Sequence, residues 1–252
     1  MARMSLSLLA AALAAAFAAV VGARWLRTRR AAFAAWAAGL AIFCVAAAAQ
    51  AVGEHSGFGP VCFRVFYLFG GVLGVAYLGL GTVHLMAPPA VARASTVGLL
   101  LISVAAAVMV AIVPINEGRL HDSAGVLGDA LSGSANVPIR VLAALLNIAG
   151  TLALAGGSGW SAYRLWRDRA GVDRVVCNVL LTGGALVIAA GLSAGRLAPT
   201  AAGGLSTLGG YEAAGIAVMF AGFLCLGRVG AGRAVRSQGG HRGSPATPER
   251  VR

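Results

Sequence analysis

"RVFYLFGGVLGVAYLGLGTVHLMAP" runs from Arg64 to Pro88. After its leading arginine no formal charge occurs until Arg93. A bilayer core about 30 Å thick takes roughly 20 apolar residues to cross as a helix, and this run is long enough. Five glycines thread it: Gly70, Gly71, Gly74, Gly79 and Gly81. In water glycine weakens a helix. In lipid, small residues let helix backbones approach closely, and that contact replaces the hydrophobic drive between helices. Gly70 and Gly74 form a GxxxG pair, and Tyr77 and Gly81 continue the same face at spacings of three and four. The stretch therefore reads as a central, tightly packed transmembrane helix.

The rest of the chain agrees. Of its 252 residues 59% are hydrophobic and only 11% charged, less than half the charge of a typical soluble domain. Seven apolar runs approach transmembrane length, at about 4–23, 32–52, 63–87, 96–115, 137–160, 174–194 and 209–228. They lack the alternation of a barrel strand, so helices are expected, because lipid offers backbone groups no partner. The expected architecture is an all-α, seven-transmembrane-helix bundle over residues 1–228, with a disordered basic tail over 229–252. The tail's Gly/Arg/Ser/Pro composition cannot bury a core. The first run also has the build of a signal peptide, but "RWLRTRR" follows at once, an inside anchor on the wrong flank for one.

Every basic residue is arginine, and their distribution orients the bundle. With the amino terminus outside, the inner segments hold fifteen arginines against Asp168, Asp173 and Glu249. The outer segments and helix heads hold five arginines against five acids. The positive-inside rule then gives an N-out, C-in topology in a bacterial plasma membrane. It also accounts for the net charge of +12 without a nucleic-acid partner. The partners implied are the lipid bilayer and an unidentified membrane or cytoplasmic protein.

Polar groups within the runs are few. Arg64 stands among Phe63, Phe66, Tyr67 and Phe69 near the outer end of the third run, where an aromatic girdle and a snorkelling arginine fix a helix end. Arg140 and Glu212 fall at the same expected depth. Arg64, Arg140 and Glu212 thus form a candidate outer polar cluster. It ties the third, fifth and seventh spans by salt bridges or holds an anionic ligand in an outward-facing pocket, with Glu54, His55 and Arg196 at its rim. Asn147 and Thr151 share a face with Arg140, and with Tyr67, Tyr77 and Asn178 they are the candidate intramembrane polar contacts.

No catalytic motif of the HExxH, GxSxG or P-loop type occurs, so no enzyme activity, catalytic residue, metal site or cofactor is expected. His84 is the sole histidine inside a run, one short of a bis-histidine haem site. The absence of lysine excludes a retinal Schiff base. The four cysteines form no CxxC pair. Cys44, Cys177 and Cys225 lie in apolar runs and read as soft core residues, with no disulfide framework.

"ARWLRTRR" after the first run is echoed by "YRLWRDRAGVDR" after the fifth, and "YLFGG" at Tyr67 by "YEAAG" at Tyr211. Both echoes lie near 140 residues apart, which suggests a 3+1+3 pseudo-repeat like that of SWEET sugar transporters. The blocks "FYLFGGVLGVAYLGLGTVHLMAP" and "LLNIAGTLALAGGSGWSAYRLWR" resemble a group of uncharacterised bacterial seven-span membrane proteins. That resemblance implies the fold and the membrane, and it supplies no activity. The sequence favours an outward-facing sensor or binding module. A small-solute transporter of 3+1+3 type and a structural or assembly subunit are the alternatives.

Overall fold

The computed structural model describes residues 2–117, 120, 129–131, 134–169, 171–197 and 205–240. These residues form seven long helices and two short 3-10 turns, Asp129–Leu131 and Ser134–Asn136, with no strand among them. The helices are α1 (Ala2–Thr28), α2 (Ala31–Ser56), α3 (Pro60–Met86), α4 (Pro89–Ile112), α5 (Val137–Arg167), α6 (Val172–Leu197) and α7 (Leu205–Gly240). All seven are long and apolar enough to cross a membrane, and the protein is an all-α, multi-pass membrane protein.

Each expected run corresponds to a helix, and several helices are longer than their runs; α5, for example, continues to Arg167, seven residues past 160. α4 begins at Pro89, seven residues before the run at 96–115. A proline in the first turn of a helix costs nothing, because that backbone N–H has no intrahelical partner. Arg93 therefore lies on the helix, at its end, where its head can reach the interface. At the carboxy end, α7 keeps helical backbone to Gly240, beyond the expected boundary at 228. No proline interrupts that segment before Pro245, and the remainder of the expected tail, 241–252, lies outside the described residues.

Six helices close a ring. α1 packs on α2, α2 on α3, α3 on α5, α5 on α6, α6 on α7, and α7 returns to α1. α4 lies outside the ring, against α3 and α5. It is the least buried span, at 17%, and presents Val97, Leu101, Val104, Val108 and Ile112 outward. α3 is the most buried, at 56%, as its glycine content suggested.

Close approach explains two glycine pairs. A methyl group on Gly79 of α3 would lie 2.7 Å from the Gly150 carbonyl oxygen of α5, and one on Gly150 would lie 2.5 Å from the Val75 oxygen. α6 and α7 cross in the same way, with Gly184 and Gly215 each against the other's carbonyl. The GxxxG pair contributes less than expected. A methyl group on Gly70 would meet Ala46 of α2 at 3.1 Å, and one on Gly74 meets chiefly its own helix. The close backbone crossing of α3 sits further along, at Gly79, and Gly81 leaves room for the Trp36 ring of α2.

Two helices carry π-helical turns, Tyr67–Leu73 in α3 and Leu152–Gly156 in α5. The wide i→i+5 pattern loosens the backbone ladder locally, and such turns often mark functional positions.

The cysteine expectation is corrected. Cys177 of α6 and Cys225 of α7 are joined by a disulfide, S–S 2.05 Å, with Cα atoms 5.6 Å apart. The sequence hid this pairing because 48 residues separate the two. Antiparallel packing of α6 on α7 brings them together, helped by Gly222, where a methyl group would lie 2.8 Å from the Cys177 carbonyl oxygen. Cys44 and Cys62 are free.

Candidate functional site

At the end of the bundle that carries the start of α1, three helices build a polar node. Ser7 of α1, with no exposed surface, donates its hydroxyl to Glu54 Oε2 at 2.9 Å. Gln50, one turn earlier on α2 and also fully buried, donates Nε2 to Glu54 Oε1 at 2.9 Å. Both oxygens of Glu54 are thus engaged. α7 is drawn onto this node by Gly209, whose missing side chain leaves room for Ser7 at what would be 2.6 Å.

That approach buries Glu212, which is 6% exposed. Among the described residues its Oε2 has no hydrogen-bond partner. A buried carboxylate oxygen without a donor is costly, and most such groups in folded proteins are satisfied. Glu54, whose two oxygens accept from Ser7 and Gln50, donates no hydrogen bond to it. Glu212 faces a cavity of about 500 Å³ inside the ring, between α2, α3, α5, α6 and α7. Arg140, Tyr67 and the π-turn glycines Gly70 and Gly71 line the same cavity, with Phe43 and Ile188 at its deep end.

The expected cluster of Arg64, Arg140 and Glu212 is not assembled. Arg64 donates from both terminal nitrogens to backbone carbonyls at the end of α4, Nη1 to Val110 and Nη2 to Val113, the latter at 3.0 Å. The last carbonyls of a helix lack intrahelical partners and sit at the negative end of its dipole, so a guanidinium satisfies both demands. Arg140 is exposed at the cavity mouth. Among the described residues no ion pair joins any two of the three. Of the proposed rim, His55 is exposed and Glu54 belongs to the buried node. The side chain of Arg196 lies outside what is described.

The intramembrane contacts fall into place as follows. Tyr67 is buried and stacks on Phe63 with ring centres 5.9 Å apart. The Tyr77 hydroxyl meets Ser103 Oγ of α4 at 3.1 Å, holding the outlying helix to the ring. Asn147 donates Nδ2 to the Gly71 carbonyl at 2.6 Å and to the Ala143 carbonyl at 2.8 Å. Gly71 lies in the π-helical turn of α3, so an α5 side chain serves a carbonyl of that irregular turn. Thr151 shares a smaller groove with Asn147, Leu192 and Ser193, between α5 and α6. Asn178 donates to the Arg174 carbonyl one turn back and lines a second cavity at the opposite end.

That second cavity, about 390 Å³, was not foreseen. It is separated from the first by packed apolar side chains, among them Leu40, Phe43, Leu78, Leu154, Ile188 and Met219. The node of Ser7, Gln50 and Glu54 was missed as well, although "QAVGE" places Gln50 and Glu54 one helical turn apart at the end of an apolar run. No family model, curated protein or solved structure matches this chain.

Proposed function

We propose that the protein is an outward-facing binding module of a bacterial plasma membrane, N-out and C-in, which reports occupancy of its outer cavity to a separate protein. The observation that carries this reading is Glu212, a buried carboxyl group that lines an open cavity and has one oxygen without a partner among the described residues. A group of that kind is satisfied by a hydrogen-bond donor or a positive charge brought by a ligand. The ligand class therefore differs from the anion expected of an arginine pair: Arg64 is engaged elsewhere, and the unmet demand is for a donor. The arginine bias supports the orientation.

Thermal unfolding of the purified chain in a neutral detergent tests this. Small ammonium and guanidinium probes (methylammonium, choline, guanidinium) raise the melting temperature, acetate does not, and Glu212→Gln removes the response. No response to any cationic probe, or one that survives in Glu212→Gln, refutes the reading.

A second reading, a small-solute transporter of 3+1+3 type, draws support from the paired cavities. They lie at opposite ends of one ring, divided by an apolar layer, and the contacts of α1–α2–α3 are paralleled by those of α5–α6–α7, with α4 outside. Proteoliposomes decide between the two. A transporter moves a probe that binds, whereas a sensor binds it without flux.

A further inference from the structure

The second cavity opens at the arginine-rich end of the bundle and has a character of its own. Its walls come from six helices and are largely apolar and aromatic, with Phe17, Trp36, Met86 and Phe223 among them. Its polar groups are mostly spent inside the protein. Trp36 Nε1 donates to the Leu78 carbonyl at 3.0 Å, Ser158 Oγ to the Leu154 carbonyl at 2.7 Å, and Asn178 Nδ2 to the Arg174 carbonyl.

Arg24 is the exception. Its guanidinium lies over two rings that also shape the site, 5.1 Å from the centre of Phe33 and 5.6 Å from that of Phe223. Stacking of this kind holds the plane of the guanidinium while leaving its N–H edge open to an anion. Among the described residues no carboxylate pairs with it. Arg27, Arg29 and Arg30 follow within two turns at the same end, so the local potential is strongly positive.

We propose that this cavity binds an anionic phospholipid, with the headgroup phosphate on the edge of Arg24 and one acyl chain in the apolar space behind it. Hydrocarbon walls with a single held cation at the mouth match a molecule that has one charged end and a long apolar remainder. A polar solute would leave the walls unused, and a neutral lipid would leave the cation unmatched. The site lies at the opposite end of the ring from Glu212 and does not depend on what the outer cavity holds.

The test uses the full chain in a neutral detergent, with lipid binding followed by native mass spectrometry. Phosphatidylglycerol binds more tightly than phosphatidylcholine of the same chains. Arg24→Gln reduces that preference about fivefold, the factor expected for one arginine near an anionic headgroup. Arg27→Gln, a change outside the cavity lining, leaves it intact. Ser161→Leu, which narrows the chain slot, weakens both lipids alike and does not touch the cation. The proposal is overturned by equal binding of the two lipids or by equal losses in Arg24→Gln and Arg27→Gln, the mark of diffuse surface attraction. It is also overturned if Ser161→Leu has no effect on either lipid, because the acyl chain then lies elsewhere.

Discussion

Arg64 shows how far a single side chain can be read from sequence. Its aromatic neighbours Phe63, Phe66 and Tyr67 were legible, a grouping of the kind that marks an interface. Its partner was not. The acceptors are the backbone carbonyls of Val110 and Val113, and every residue carries a carbonyl, so no letter in the sequence announces them. Arg64→Ala should therefore lower stability by about 2 kcal/mol, in the range for hydrogen bonds to a charged donor, as read from detergent unfolding. Combined with Glu212→Gln, the effects should add to within about 0.5 kcal/mol, since the two residues share no partner. A large coupling in that double-mutant cycle would restore the salt bridge that the sequence suggested. Asn147 is the converse case. Its position deep in an apolar run marked it for an interhelical bond, and one is present, to Gly71. Asn147→Leu removes the donor and leaves that carbonyl unserved, which should cost about 1 kcal/mol. An unchanged unfolding profile would mean that the Gly71 carbonyl finds another donor.

Helix by helix, hydropathy found all seven spans, because lipid imposes a length and an apolar composition that few other contexts demand. It could not locate the π-helical turns at Tyr67–Leu73 and Leu152–Gly156, which differ from their neighbours in hydrogen bonding and not in composition. Nor could it rank the glycines. With 36 in the chain, a GxxxG match is weakly informative, and the tightest crossing of α3 uses Gly79 against Gly150 instead. The difference is measurable. Gly150→Ala forces α3 and α5 apart and should destabilise by about 1–3 kcal/mol. Gly98→Ala in α4, where a methyl group meets nothing within 4 Å, should be neutral or stabilise by up to about 1 kcal/mol through helix propensity. Similar effects at both sites would show that backbone crossing is not what fixes the α3–α5 seam.

For the molecule as a whole, seven spans and their alternation followed from the chain, whereas the order of the ring did not. Periodicity tells which residues are apolar in a span but not which span lies beside it. The internal echoes came nearest, since they set α1–α3 apart from α5–α7. The Cys177–Cys225 bond was invisible for the same reason: only the packing of α6 on α7 makes neighbours of the two sulfurs. Its presence predicts a thiol count. Maleimide labelling of the unfolded, unreduced chain should add two labels, on Cys44 and Cys62, and four after reduction. Four labels without reductant would dismiss the bond. If it holds, α6 and α7 are riveted at the arginine-rich end as well as meshed at Gly184 and Gly215, and they behave as one stiff plate. Any opening of the ring is then left to its other five seams, so a further cross-link within the plate should go unnoticed, whereas one across another seam should not.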